Sequence, residues 1–200
     1  MEVIKFDLKE LEKCNSGFSY YLLGRSYDLE ENGANLDYEK ALFYYNKGFD
    51  INYPLCIYSL GISYELGLGN ILNKDKERAK ILLLDAYPKI LELINNPNIT
   101  EEERIYSRFV IGAYYYFGLG NIEKDHKRAF EIIKECAIKG HIAAIYDLGA
   151  NFYFNGIGTD VDYTLADYYL NIAKQHNLLR AVKLYKKRQE TKSVECEKWK

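Results

Sequence analysis

Apolar runs approaching the roughly 18 residues needed to cross a bilayer are absent from this chain. The segment Met1-Glu2-Val3-Ile4-Lys5 has no apolar region of the kind a secretory signal needs. The four cysteines, Cys14, Cys56, Cys136 and Cys196, are scattered and form no Cys-x-x-Cys pair, which argues against a zinc ribbon or a disulfide framework and for a reducing compartment. The three histidines, His126, His141 and His176, lie too far apart to share one helical face around a metal. A formal net charge of −2 gives no basic excess for nucleic acid. Gly67-Leu68-Gly69 lacks both the third glycine of a dinucleotide loop and the Lys-Ser/Thr of a phosphate loop, and no serine has an evident base partner. Catalysis, a cofactor and a bound metal are therefore not expected.

What the chain does have is repetition. Gly67-Leu68-Gly69-Asn70, with Lys74-Asp75 and Arg78-Ala79, returns 51 residues later as Gly118-Leu119-Gly120-Asn121, with Lys124-Asp125 and Arg128-Ala129. Two more copies share the phase, marked by Gly24, Gly61, Gly112 and Gly149 at spacings of 37, 51 and 37 residues. An alanine follows each marker glycine (Ala41, Ala79, Ala129, Ala166), and a small residue precedes each by five (Ser19, Cys56, Ser107, Ala144). Self-similarity at this period is the signature of stacked units. Within a unit the apolar positions recur at helical spacing, as in Ile57, Leu60 and Tyr64. A glycine inside a helix costs roughly 1 kcal/mol against alanine, so its recurrence points to close approach of a partner helix. Asp37, Asp75, Asp125 and Asp162 stand where a second helix should begin and can cap it. Gly140-His141 and His176-Asn177 are its expected stops.

The pattern of small residue, Leu-Gly, Tyr, Gly-x-Gly, Asp and Lys/Arg-Ala resembles the Sel1-like repeats, relatives of the tetratricopeptide repeats. The resemblance covers residues 18–177 and implies an all-α, right-handed superhelical solenoid of four helix-turn-helix repeats with terminal capping helices, of the type that holds other proteins. The expected division is a single domain over 1–200: an N-terminal cap at 1–17, repeats at 18–54, 55–105, 106–141 and 142–177, and a C-terminal capping helix with a basic tail at 178–200. Three departures stand out. The first unit turns on Asn32-Gly33, the second carries 14 extra residues after Ala79, and the fourth has one extra residue between Gly149 and its turn. Thr100 with Glu103 forms a capping-box pattern, so a helix should start at Glu101 after a break at Asn95-Asn96-Pro97-Asn98. The tip over 95–100 is a candidate contact or a tolerated surface insertion.

In related superhelices the first helix of each pair lines the concave surface, with the positions three before, one after and four after the marker glycine pointing inward. Here the first of these holds Tyr21, Tyr58, Phe109 and Tyr146, an aromatic ladder that recurs in every unit and reads mostly as packing. The other two vary between copies. Arg25, Asp28, Ile62 and Glu65 come from the N-terminal half, and Tyr116 and Tyr153 from the C-terminal half. Tyrosine, present 20 times, supplies rigid contact area with a polar tip. The expected function is a non-enzymatic scaffold of the bacterial cytoplasm that binds a protein partner, in its sharpest version an immunity protein neutralising a toxin. The alternatives are a sensor of a peptide or small ligand and a host-directed secreted effector. Neither nucleic acid nor membrane is an expected partner.

Overall fold

The computed structural model describes residues 2–187, and among these the chain is helical with a single isolated bridge, Leu68 to Leu72. A short helix α1 (Leu8–Lys13) is capped by Asp7, whose carboxylate accepts the N–H groups of Lys9 and Glu10. Four helix pairs follow: α2 (Gly17–Leu29) with α3 (Tyr38–Asp50), α4 (Pro54–Leu66) with α5 (Lys76–Asn95), α6 (Glu101–Phe117) with α7 (His126–Ile138), and α8 with α9 (Tyr163–Gln175). Helix α8 begins at Ile142–Asp147 and runs on through a π-helical stretch, Leu148–Tyr153. A final helix, α10, occupies 179–187; the rest of the expected C-terminal helix and the basic tail lie outside the described residues. The result is the right-handed superhelical solenoid of four repeats.

The recurring residues act as their chemistry demands. Each second helix starts after an aspartate whose side chain accepts a backbone N–H three residues on: Asp37 from Lys40, Asp75 from Arg78, Asp125 from Arg128 and Asp162 from Leu165. The marker glycines sit where two helices touch. A Cβ on Gly24 would stand 2.4 Å from the Tyr45 ring, on Gly61 2.9 Å from Leu83, on Gly112 2.7 Å from Ile133 and on Gly149 2.8 Å from Leu170. The turn glycines Gly67, Gly118 and Gly156 take positive φ, a region that a side chain disfavours.

The extra residue of the fourth unit has a visible location. In the first three units the capping aspartate's N–H donates to the carbonyl three residues after the marker glycine: Asp37 to Tyr27, Asp75 to Tyr64, Asp125 to Tyr115. In the fourth it reaches the fourth residue, Tyr153. The π-helical stretch over Leu148–Tyr153 absorbs the added residue, so the turn that follows still meets its partner. The 14-residue insertion extends α5 to 20 residues, with Pro88 inside it, and α6 starts at Glu101 behind Thr100, which caps the Glu103 N–H. Arg104 clips the tip down by donating to the carbonyls of Ile94 and Asn96.

Two contiguous apolar clusters fill the stack, one spanning the first two units into α6, the other the last two units into α10. The first and last described segments then each meet the opposite half of the stack. Val3 is buried in the C-terminal cluster, and the Ile4 N–H donates to the Gly140 carbonyl at 3.0 Å. From α10, Lys183 lies 3.6 Å from Glu30, and Arg180 lies 3.9 Å from Glu31, both in the turn of the first unit. His141, expected as part of a helix stop, donates its N–H to the Cys136 carbonyl at 3.0 Å behind α7 and also begins α8: its Nδ1 accepts the Ala144 N–H at 3.1 Å.

Candidate functional site

The curvature that brings the first and last described segments to the opposite halves of the stack turns the first helix of every unit toward a shared centre. A cavity of about 180 Å³ lies there, walled by Arg25 of α2, Tyr58 of α4, Phe109 and Tyr116 of α6, Asp147 of α8 and Arg180 of α10. A wider recess of about 510 Å³ adjoins it through Phe117, with Ile62, Glu65, Leu66, Lys80 and Leu83 along its sides.

The expected inward residues divide into three groups. Arg25, Tyr58, Phe109 and Tyr116 converge on the small cavity, while Ile62 and Glu65 border the wider recess. Tyr146 lies beside the first group, its ring 4.6 Å beneath the Arg180 guanidinium. Tyr21, Asp28 and Tyr153 line neither space. Tyr21 is buried behind Arg25; Asp28 accepts the Tyr45 hydroxyl at 3.3 Å; Tyr153 is buried and stacks on Tyr169 at 5.7 Å. The aromatic ladder is thus partly packing, with Tyr21 and Phe109 buried and Tyr58 and Tyr146 half-exposed.

The Arg25 head is already engaged. Nε donates to one oxygen of Glu31 at 2.8 Å and Nη2 to the other at 2.9 Å, a two-point pair with both residues buried, and the guanidinium lies 5.5 Å over Phe109. His141 packs against the other side of Phe109 at 4.2 Å and against Tyr106 at 4.1 Å. Burial, together with the nearby charges of Arg25 and Arg180, holds its imidazole well below the usual histidine range, so it stays neutral. On the opposite wall Asn151 donates to Asp147 at 3.2 Å. Loss of water around Asp147 pushes its carboxyl up, against the pull of Arg180 and Arg25. Among the described residues no group of His, Cys, Asp and Glu side chains could hold a metal ion, and no helix is long and apolar enough to cross a membrane.

Reasoning from the sequence missed two sets of residues. Asp147, Asn151 and Arg180 come to the centre only through the closing of the superhelix. The second set was readable: the position five after the marker glycine is apolar in the first three copies, Leu29, Leu66 and Phe117, and all three are exposed, at 36%, 61% and 57%. In the fourth copy the added residue shifts the register, and Asn155 stands at the equivalent place. Leu29 and Phe117 border the small cavity, and Leu66 and Phe117 the wider recess.

Comparison with known proteins agrees with this architecture. The Sel1 repeat model matches residues 17–52, 54–86, 105–141 and 142–178. Sel1 repeats generally mediate protein–protein interaction and are generally non-enzymatic scaffolds. No curated protein matches the chain. Among solved structures, a Sel1 repeat protein from Oxalobacter formigenes is 25% identical over 84% of this chain and 61% of its own, with a TM-score of 0.44. The protective antigen c5321 of uropathogenic Escherichia coli, which displays an SLR fold, is 21% identical over 86% of this chain and 33% of its own, with a TM-score of 0.41. Immunity protein Pa5087 from Pseudomonas aeruginosa is 18% identical over 86% and 72%, with a TM-score of 0.31. The chain therefore spans a third of the length of the antigen and three-fifths of that of the Oxalobacter protein. With four matched copies covering most of its length, each carrying its capping aspartate and its buried marker glycine, the chain belongs to the Sel1 repeat family.

Proposed function

We propose that this chain is a non-enzymatic scaffold of the bacterial cytoplasm that holds a protein partner against its concave face. The exposed row of Leu29, Leu66 and Phe117 carries the reading. A side chain that serves the scaffold is buried in every copy, as the marker alanines are; these three are apolar and lie exposed. Exposed apolar surface beside a recess marks an interaction site. Half-exposed Tyr58, Tyr116 and Tyr146, with Ile62 and Glu65, supply the surrounding contacts. The unpaired thiols of Cys14, Cys56 and Cys136 suit a reducing compartment. The finer version is an immunity protein whose partner is a toxin. The wider recess of about 510 Å³, within the range of small-molecule sites, favours a second reading, a sensor of a short peptide or small ligand.

The test is an affinity pull-down from the native lysate with the wild-type chain and a Leu66→Asp/Phe117→Asp variant. Both positions are exposed, so the variant should keep its helical circular dichroism and lose the partner. A toxin encoded beside this gene among the captured proteins supports the immunity version. Capture that survives the double substitution moves the site off the concave face. A small molecule that co-purifies in place of any protein favours the sensor.

A further inference from the structure

Among the described residues four buried side-chain polar atoms have no hydrogen-bond partner: the Tyr21 hydroxyl, His141 Nε2, Arg180 Nε and Arg180 Nη2. They share one neighbourhood. The Tyr106 ring touches both Tyr21 and His141, Phe109 separates His141 from Arg25, and Arg180 approaches Glu31, the partner of Arg25. Every one of the four can donate. The two Arg180 nitrogens are donors by nature. On His141, Nδ1 accepts the Ala144 N–H, so the proton of the neutral ring sits on Nε2. The nearby carboxylates face other donors: Glu31 accepts two bonds from Arg25, Asp147 accepts from Asn151, and Arg180 Nε and Nη2 make a hydrogen bond to neither. Donors at the centre of the concave face are thus left unmatched beside an open cavity. Buried donors left unpaired are costly, and such a deficit is tolerated where a ligand supplies what is missing.

We infer that the cavity between Arg25, Tyr58, Tyr116, Asp147 and Arg180 receives one carboxylate side chain, aspartate or glutamate, from the protein partner, with the Arg180 guanidinium as its principal contact. The inference rests on the scaffold reading and names the chemistry of what the scaffold holds. Size supports it: at about 180 Å³ the space is smaller than the roughly 300–1,000 Å³ of small-molecule sites and suits a single side chain. Chemistry supports it as well, because a guanidinium fork matches a carboxylate at two points and Arg180, unlike Arg25, has no such pair. The flanking Leu29 and Phe117 suit apolar neighbours of the acidic residue. Asp147 is the counterweight. Its carboxylate faces the same space and repels the guest, which makes the sign of each substitution diagnostic.

The experiment uses the full chain and a capped residue, N-acetyl-glutamate N-methylamide, with its glutamine and lysine counterparts and free glutarate. NMR follows the Nε–H resonance of Arg180. The glutamate probe should move that resonance saturably and the glutamine probe should not. Asp147→Asn should tighten the glutamate probe severalfold, and Arg180→Met, followed at the Arg25 Nε–H resonance, should abolish saturation. Saturation by the lysine probe, weakened by Asp147→Asn, would show a cation site and overturn the inference. Failure of every probe to saturate would overturn it too. Glutarate binding much tighter than the capped residue would assign the cavity to a free dicarboxylate and not to a partner's side chain. Pull-down with the same variants separates this inference from the scaffold reading. A partner lost in Leu66→Asp/Phe117→Asp but indifferent to both Arg180→Met and Asp147→Asn refutes the carboxylate alone; a partner indifferent to all of them refutes both.

Discussion

The Ile4 N–H donates to the carbonyl of Gly140 at 3.0 Å, and the two backbones lie so close that a Cβ on Gly140 would stand 2.5 Å from the Glu2 carbonyl oxygen. Gly140 also has a φ of +88°. One glycine therefore both ends the third unit and seats the N-terminal segment on it. Gly140→Ala should lower stability by ~1–3 kcal/mol through the strained backbone, with the clash adding to it. Thermal melting measures the loss, and faster hydrogen exchange at the Ile4 amide should accompany it. An unchanged melting temperature with a protected Ile4 amide would show that the segment does not need this close seat.

His141 gives the fold a dependence on pH. Its imidazole is buried and held well below its ordinary value of 6.5, mainly by burial and further by Arg25 and Arg180. Below about pH 6.5 the unfolded chain takes up a proton that the folded chain refuses, so stability falls as pH falls, by up to about 1.4 kcal/mol per pH unit for this one group. Asp28, Asp147 and Glu103 act in the opposite sense, since burial raises their carboxyls and favours the protonated folded form, but their window lies lower, near the carboxylate range. Urea unfolding at pH 7.0, 6.0 and 5.5 should show the decline in wild type and a flatter profile in His141→Gln. Equal profiles would mean that His141 gains its proton in the folded state at no cost.

The C-terminal helix closes the apolar core of the last unit. Leu178 and Ala181 are buried in the C-terminal cluster. A chain cut after Asn177 loses both and should associate with itself through the uncovered face, whereas a chain cut after Lys187 keeps these contacts. Light scattering on the two truncations decides it. A stable, monomeric 1–177 fragment would show that the helix is dispensable as a cover.

How far the sequence foretold these features depends on the range over which each is determined. The capping aspartates, the Thr100 cap and the close contacts of Gly24, Gly61, Gly112 and Gly149 were legible because each involves a single turn or a single helix pair, and four copies repeat the statement. The added residue of the fourth unit was legible as a count. Its placement inside α8, as a π-helical stretch, depended on which end of the helix was fixed by packing. Arg25 was expected on the inner face and lines the small cavity, but its pairing with buried Glu31 was not foreseen. Arg180 and Asp147 were missed because their meeting depends on the accumulated rotation of all four units, which no local pattern encodes. The exposed positions at Leu29, Leu66 and Phe117 could have been found by asking which recurrent apolar residue the buried core does not take in.

In an ordinary open stack each unit leans only on its neighbours, stability adds up along the line, and both ends fray on their own. Here the last helix also leans on the first turn, through Lys183 with Glu30 and Arg180 with Glu31, while Val3 is packed into the far core. Such joints are the longest-range ones in the chain, so they form late and couple the two halves when they do. Neither the segment at Val3 nor α10 can peel away without breaking such a joint. The same geometry fixes the number of units between these joints, for a further pair inserted between the first turn and α10 would carry Glu30 and Glu31 out of reach of α10. The closure works as a length gauge, and four repeats is the reading at which it shuts.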